Sequence, residues 1–211
     1  SEMCIRDSFK TILYNYHNFD RLSMKGVSTM EETKLRTWAE GLKELRLPRW
    51  EELPELELYM DQVITLVDRY LTPLIEDEKH QLLSSAMVNN YVKHKLVPPP
   101  VKKRYNRNHL AYLIAITLLK QVFSIPDINE LIRMQLAINE PKDAYNSFCA
   151  VQEESLMQIA KIVLGEEVSL TRSNKDFYYL AMEGAVASFT QKMLAEKIIQ
   201  LDKEKEGEND E

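Results

Sequence analysis

Glycine is scarce in this chain, with five residues among 211. Glycine-rich phosphate loops and the tight turns of all-β folds exploit glycine's access to positive φ, so a Rossmann or all-β architecture is disfavoured. Cysteine is scarcer still: Cys4 and Cys149 are too few for a metal cluster or a disulfide framework, and a reducing cytoplasm is the expected compartment. No apolar run approaches the roughly 18 residues that a membrane-spanning helix needs, so no membrane partner is expected. Catalytic signatures are missing too, with no Gly-rich phosphate loop, no nucleophile elbow and no His-Glu-x-x-His. His80, His94 and His109 are far apart, and none has a Cys or carboxylate at ligand spacing. No metal, cofactor or enzymatic activity is therefore expected. The last absence carries the most information. From His80 to Pro126 there is no Asp or Glu, although the whole chain has a formal charge of −6.

What is present is a succession of helical periods, enough for a real core. Leu35, Trp38, Leu42 and Leu45 make an amphipathic helix closed by Pro48. A second helix is expected over about 55–71, where Leu56, Tyr59/Met60, Val63/Ile64, Val67 and Tyr70/Leu71 repeat at i, i+3, i+4, i+7 behind Pro54. Pro73 and Glu76-Asp77-Glu78 mark a loop. The serine pair at 84–85 suits a helix N-cap before the short stripe Val88, Tyr91 and Val92, and Pro98-Pro99-Pro100 ends that helix. Asn106 can cap the apolar run 110–122, and Ser124 with Pro126 and Asp127 starts a further helix. Beyond Pro141, periodicity predicts a helix over about 142–164, stopped by Gly165, with Cys149 as a small core residue. The last helix is expected over about 174–202, with Phe177, Leu180/Ala181, Gly184/Ala185, Ser188/Phe189 and Met193 on one face. Tyr178-Tyr179 reads as packing ahead of pocket lining. The acidic residues 204–211 are expected to form a disordered tail.

The N-terminus reads differently. Residues 1–8 look like the translation of a sequencing adapter, and residues 9–29 carry no clean helical period. The segment 1–29 is expected to lie outside the evolved protein, with Met30 as its start.

One strip stands out, Lys102-Lys103-Arg104-Tyr105. It follows directly on the three prolines and on a short Asn-bearing helix, with no carboxylate nearby. Cations clustered in this way neutralise phosphates, and Asn suits adenine edges, whereas an ordinary charge run only solvates a loop.

The strings LVPPP, RYNRNHLAYL and FSIPDINELI resemble the MerR-type winged helix-turn-helix, which runs from a recognition helix through GLLPPP to an Arg-x-Tyr wing. More narrowly, LYMDQVITLVDRYL and SSAMVNNYVKHKLVPPPVKKRYNRNHLAYLIAI resemble a YkrK-like bacterial family of unknown function, of the DUF1836 type. The resemblance covers residues 38–138. It implies a mostly α protein, with a MerR-like winged helix-turn-helix over 30–138 and a C-terminal helical region over 139–203. Tyr91 then matches the phosphate-facing aromatic of the recognition helix, and Arg104 and Tyr105 match the wing pair, here adjacent and in a shorter wing. Ser85, Asn89, Asn90 and Lys93 would face the groove, with Lys102 and Lys103 beside the phosphates. The expected partner is double-stranded DNA, bound sequence-specifically by a bacterial transcription regulator. The expected assembly is a homodimer through the C-terminal helices, where Ala181, Gly184, Ala185 and Ser188 allow close approach. The alternative is a protein-interaction module on the same scaffold, with no DNA readout.

Overall fold

The computed structural model describes residues 29–75, 81–168 and 176–209. Among them are seven α-helices and no strand, with two isolated antiparallel bridges. The chain is all-α, as its periodicities require. The contacts divide it into two units, residues 1–34 and 35–211. Of the first unit, only 29–34 are described, at the start of helix α1 (Thr29–Glu44). Of the segment 1–29 expected to lie outside the evolved protein, residues 1–28 fall outside the described residues.

In the second unit, the segment after α1 is clamped to a later helix. Arg49 donates to both carboxylate oxygens of Glu153, at 2.8 and 2.6 Å. The Tyr145 hydroxyl donates to the Pro48 carbonyl at 2.9 Å. Helix α2 (Met60–Leu71) buries Val63, Ile64, Val67 and Leu71. It begins later than its apolar period predicts. Leu58 and Tyr105 exchange both backbone hydrogen bonds, at 2.8 and 2.9 Å, and this holds the chain out of the helix up to Tyr59. Leu56, expected on the buried stripe, is 79% exposed. The Tyr59 N–H then finds the Gln62 side chain at 2.9 Å, which starts the helix.

Residues 72–84 lead to α3 (Ser85–Lys93), where Ser84 caps the N-terminus by accepting from the Met87 N–H at 3.3 Å. Helix α4 (Arg107–Leu119) is apolar on nearly every side and buries Leu110, Leu113, Ile114, Ile116 and Leu118 completely. A helix that is apolar all round belongs at the centre, and α2 and the two last helices pack against it. Helix α5 (Ile125–Leu136) opens on Ser124 as cap and Pro126 in its first turn. Helix α6 (Pro141–Leu164) stops at Gly165, whose φ of 73° suits a residue without Cβ. Helix α7 (Phe177–Asn209) packs along α6, with Ser155 Oγ 2.5 Å from Thr190 Oγ1. A single core runs from Ala39 to Phe189, through both sides of position 138.

Two expectations for α7 need correction. Its buried face is Met182, Ala185, Val186, Phe189 and Thr190, whereas Phe177, Leu180, Gly184 and Ser188 are exposed. Two apolar stripes lie side by side on this helix, and packing against α4, α5 and α6 selects between them. The helix also continues to Asn209, into the acidic segment expected as a disordered tail. Lys and Glu are good helix formers, and an i,i+4 bond from Gln200 to Glu204 at 3.1 Å supports the extension.

Candidate nucleic-acid interface

The basic strip folds into a very short hairpin. Val101 and Arg104 exchange both backbone hydrogen bonds, at 3.2 and 2.9 Å. Only Lys102 and Lys103 lie between them, with φ of 50° and 62°. Positive φ at both central residues is the pattern of a type I′ turn, normally made by Asn-Gly. For a residue with a Cβ this backbone costs roughly 1–2 kcal/mol. Both lysines are exposed at the tip.

The hairpin base is firmly held. Tyr105 pairs with Leu58 through the backbone, and its ring meets the His109 ring edge-on at 5.4 Å. The His109 Nδ1 accepts from the Asn106 N–H at 3.1 Å, and Nε2 lies 3.4 Å from the Pro99 carbonyl. Burial holds the His109 pKa below its ordinary value. The Arg104 guanidinium stacks 4.0 Å above the centre of the Tyr59 ring, a cation–π contact that keeps the charge near the surface.

On α3, Ser85, Asn89, Asn90 and Lys93 are all exposed. Val88 and Tyr91 fix the opposite face of the helix in the core. The helix ends through Lys95 at φ 59°, and the Leu96 and Val97 N–H groups both donate to the Tyr91 carbonyl, at 2.9 and 3.3 Å.

Tyr91 and Tyr105 do not belong to the exposed set. Each is only 3% exposed, so neither ring is a surface group facing phosphate. Tyr91 anchors α3 and Tyr105 anchors the hairpin, and both shape the surface from behind. Two residues join the set that the sequence did not single out. Tyr59 carries the stacking for Arg104, and Lys95 adds a cation where α3 ends. Lys95 could have been found from the carboxylate-free segment, but Tyr59 is masked by its place in an apparent helical stripe.

Several cations elsewhere are paired. Lys43, Arg49, Lys142 and Lys192 reach Glu166, Glu153, Glu51 and Glu196 at 2.5–2.6 Å. Among the described residues, Lys93, Lys95, Lys102 and Lys103 make no ion pair. The folded chain therefore leaves these four charges to solvent or to a partner.

The described residues hold no group of three or more His, Cys, Asp and Glu able to bind a metal ion. Cys149 is fully buried, and desolvation pushes its thiol up to about 11. No helix among the described residues is long and apolar enough to cross a membrane. An apolar cavity of about 80 Å³ lies between α4, α5, α6 and α7, and neither Tyr178 nor Tyr179 lines it. No curated protein and no solved structure matches the chain. Residues 48–148, which take in α2, α3, the hairpin, α4 and α5, match the family model described as Domain of unknown function (DUF1836).

Proposed function

We propose that this chain binds double-stranded DNA through α3 and the Val101–Arg104 hairpin, as a sequence-specific bacterial transcription regulator. The scaffold in this reading is a MerR-like winged helix-turn-helix. Helices α2 and α3 are the helix pair, and the hairpin with its bond to Leu58 is a minimal wing. The observation that carries the reading is the clustering of unpaired cations. Lys93, Lys95, Lys102 and Lys103 make no ion pair and are gathered on α3, its end and the hairpin. Other described cations without an ion pair, such as Arg46, Arg69, Lys161 and Lys203, are scattered over other elements. Arg104, stacked on Tyr59, adds a fifth charge. Ser85, Asn89 and Asn90 supply the hydrogen-bonding groups that read base edges. Tyr91 and Tyr105 support this surface without belonging to it.

The test is fluorescence anisotropy of the purified chain on a random duplex across a salt series. Each phosphate contact contributes about 0.9 to the slope of log affinity against log salt, so five cations give a slope near −4.5. A chain that binds no duplex at low salt overturns this reading and favours a protein-interaction module on the same surface.

The same reading takes the active form to be a homodimer joined by α7. Of the residues expected at that approach, Gly184 and Ser188 are exposed while Ala185 is buried. The exposed side therefore runs through Phe177, Leu180, Gly184 and Ser188, and a Cβ at Gly184 would meet nothing within 4 Å. Two copies give the two half-sites that two-fold symmetric regulators read. Light scattering at micromolar protein should give twice the chain mass, and a monomer mass with and without DNA overturns the dimer.

A further inference from the structure

We infer that the cavity between α4, α5, α6 and α7 binds a small neutral molecule that has an apolar ring and a hydrogen-bond donor. The cavity exists because four alanines, Ala111, Ala115, Ala144 and Ala185, face one another where larger side chains would have closed the space. Its walls are apolar and rich in rings, with Tyr112, Tyr145 and Phe148 among them. The Tyr145 hydroxyl is already committed to the Pro48 carbonyl, so this ring presents only its carbon surface. No Asp, Glu, Lys or Arg lines the space, and a charged occupant would be desolvated without a counter-charge.

Two amides supply the polar element. Gln135 is 8% exposed and lines the cavity; its Nε2 is fixed on the Tyr178 carbonyl at 2.6 Å. Its Oε1 has no hydrogen-bond partner, and neither does the Oδ1 of Asn108, which lines the same cavity. A buried acceptor left unpaired is costly, and both acceptors are of the kind that an N–H or O–H satisfies. The volume of about 80 Å³ is below the roughly 150 Å³ of an apolar cavity that admits benzene, so one ring enters only in part. The occupant is accordingly a single-ring phenol or aromatic amide, and not a larger cofactor.

The cavity also has a neighbour. Tyr112, Ile132 and Leu136 line it and also line an open groove that reaches Val92 and the 95–99 segment. An occupant that presses on this wall is sensed at the end of α3. The inference does not depend on DNA binding.

The test uses two near-isosteric probes, 4-fluorophenol and 4-fluorotoluene, titrated into the full chain and followed by fluorine NMR. The phenol should bind, and the toluene should bind more weakly by roughly threefold to tenfold, the worth of one neutral hydrogen bond. Gln135→Met should remove that difference, and Ala115→Phe, which fills the space, should remove both interactions. In the wild type, the backbone amide signals of Lys95, Leu96 and Val97 should shift as the phenol is added. Should Gln135→Met not fold, Asn108→Ala removes the other acceptor and should narrow the same difference. Binding of neither probe at millimolar concentration overturns the inference. So does equal binding of the two, or a preference that survives both amide substitutions.

Discussion

The left-handed backbone at Lys102 and Lys103 allows stability and binding to be driven in opposite directions. Replacing the pair with Asn and Gly, the residues that a two-residue type I′ turn prefers, removes two charges and relieves two strained positions. The relief is roughly 1–2 kcal/mol per non-glycine residue at positive φ, only partial for Asn. The added chain entropy of the glycine offsets roughly 0.5–1 kcal/mol. A net gain of about 1 kcal/mol is expected, which for a chain of this size raises Tm by about 2–4 °C. The same variant loses two phosphate contacts, so its salt slope should fall by about 1.8. A fourfold rise in salt then weakens the wild type about tenfold more than the variant. Thermal denaturation and anisotropy on one duplex measure both quantities. A lower Tm would show that the turn is not the one described. A raised Tm with an unchanged slope would show that the lysines do not meet phosphates. Replacing Lys102, Lys103 and Arg104 with Ala provides the control: the slope falls by about 2.7, with no gain in Tm, since Ala shares the lysines' aversion to this backbone.

Two further outcomes follow from the same surface. Asn89→Ala or Asn90→Ala should lower affinity for a preferred duplex by about 1–3 kcal/mol while leaving random-duplex binding and Tm nearly unchanged, because both side chains are exposed; equal losses on both duplexes would remove them from base readout. The His109 pKa is depressed from its ordinary 6.5 by burial, so folding favours the neutral ring. That contribution is present above pH 6.5 and is lost as pH falls below it. Tm should therefore drop between pH 7 and 5, and His109→Gln should flatten the drop; an unchanged pH profile in the variant would place the sensitivity elsewhere.

Signals that act over three or four residues were legible in the sequence. Ser84, Asn106 and Ser124 cap the helices they announce, and Gly165 ends α6 in the left-handed conformation. The continuous apolar run 110–122 marked a helix, and its lack of a polar side is the physical reason that α4 lies at the centre. Where a distant partner decides, the sequence misleads. Leu56 lies in perfect helical phase with Val63, yet the pairing of Leu58 with Tyr105 pulls its segment out of the helix. Tyr91 and Tyr105 carry polar tips that suit a phosphate, but their rings complete the core. The hairpin itself has no turn signature at all, because lysine is a poor choice for both of its central positions. Its presence is set by Tyr105, held from one side by Leu58 and from the other by His109.

A chain with 33 acidic and 27 basic residues is repelled by DNA as a whole, and this repulsion works in favour of the proposed interface. At physiological ionic strength an unpaired charge acts over about 8 Å, so the field near any surface reflects the charges beside it and not the net total. Lys43, Arg49, Lys142 and Lys192 each lie beside a glutamate and contribute little beyond it. In the carboxylate-free segment, Lys93, Lys95, Lys102 and Lys103 leave positive charge unpaired on α3, its end and the hairpin. In the proposed reading a duplex is drawn to α3 and the hairpin, so net negative charge and local positive charge together would select an orientation before any base is read. The orientation would be lost if carboxylates were placed beside the strip. A Val101→Glu substitution adds one such charge next to Lys102 without touching the lysines, since Val101 is 63% exposed.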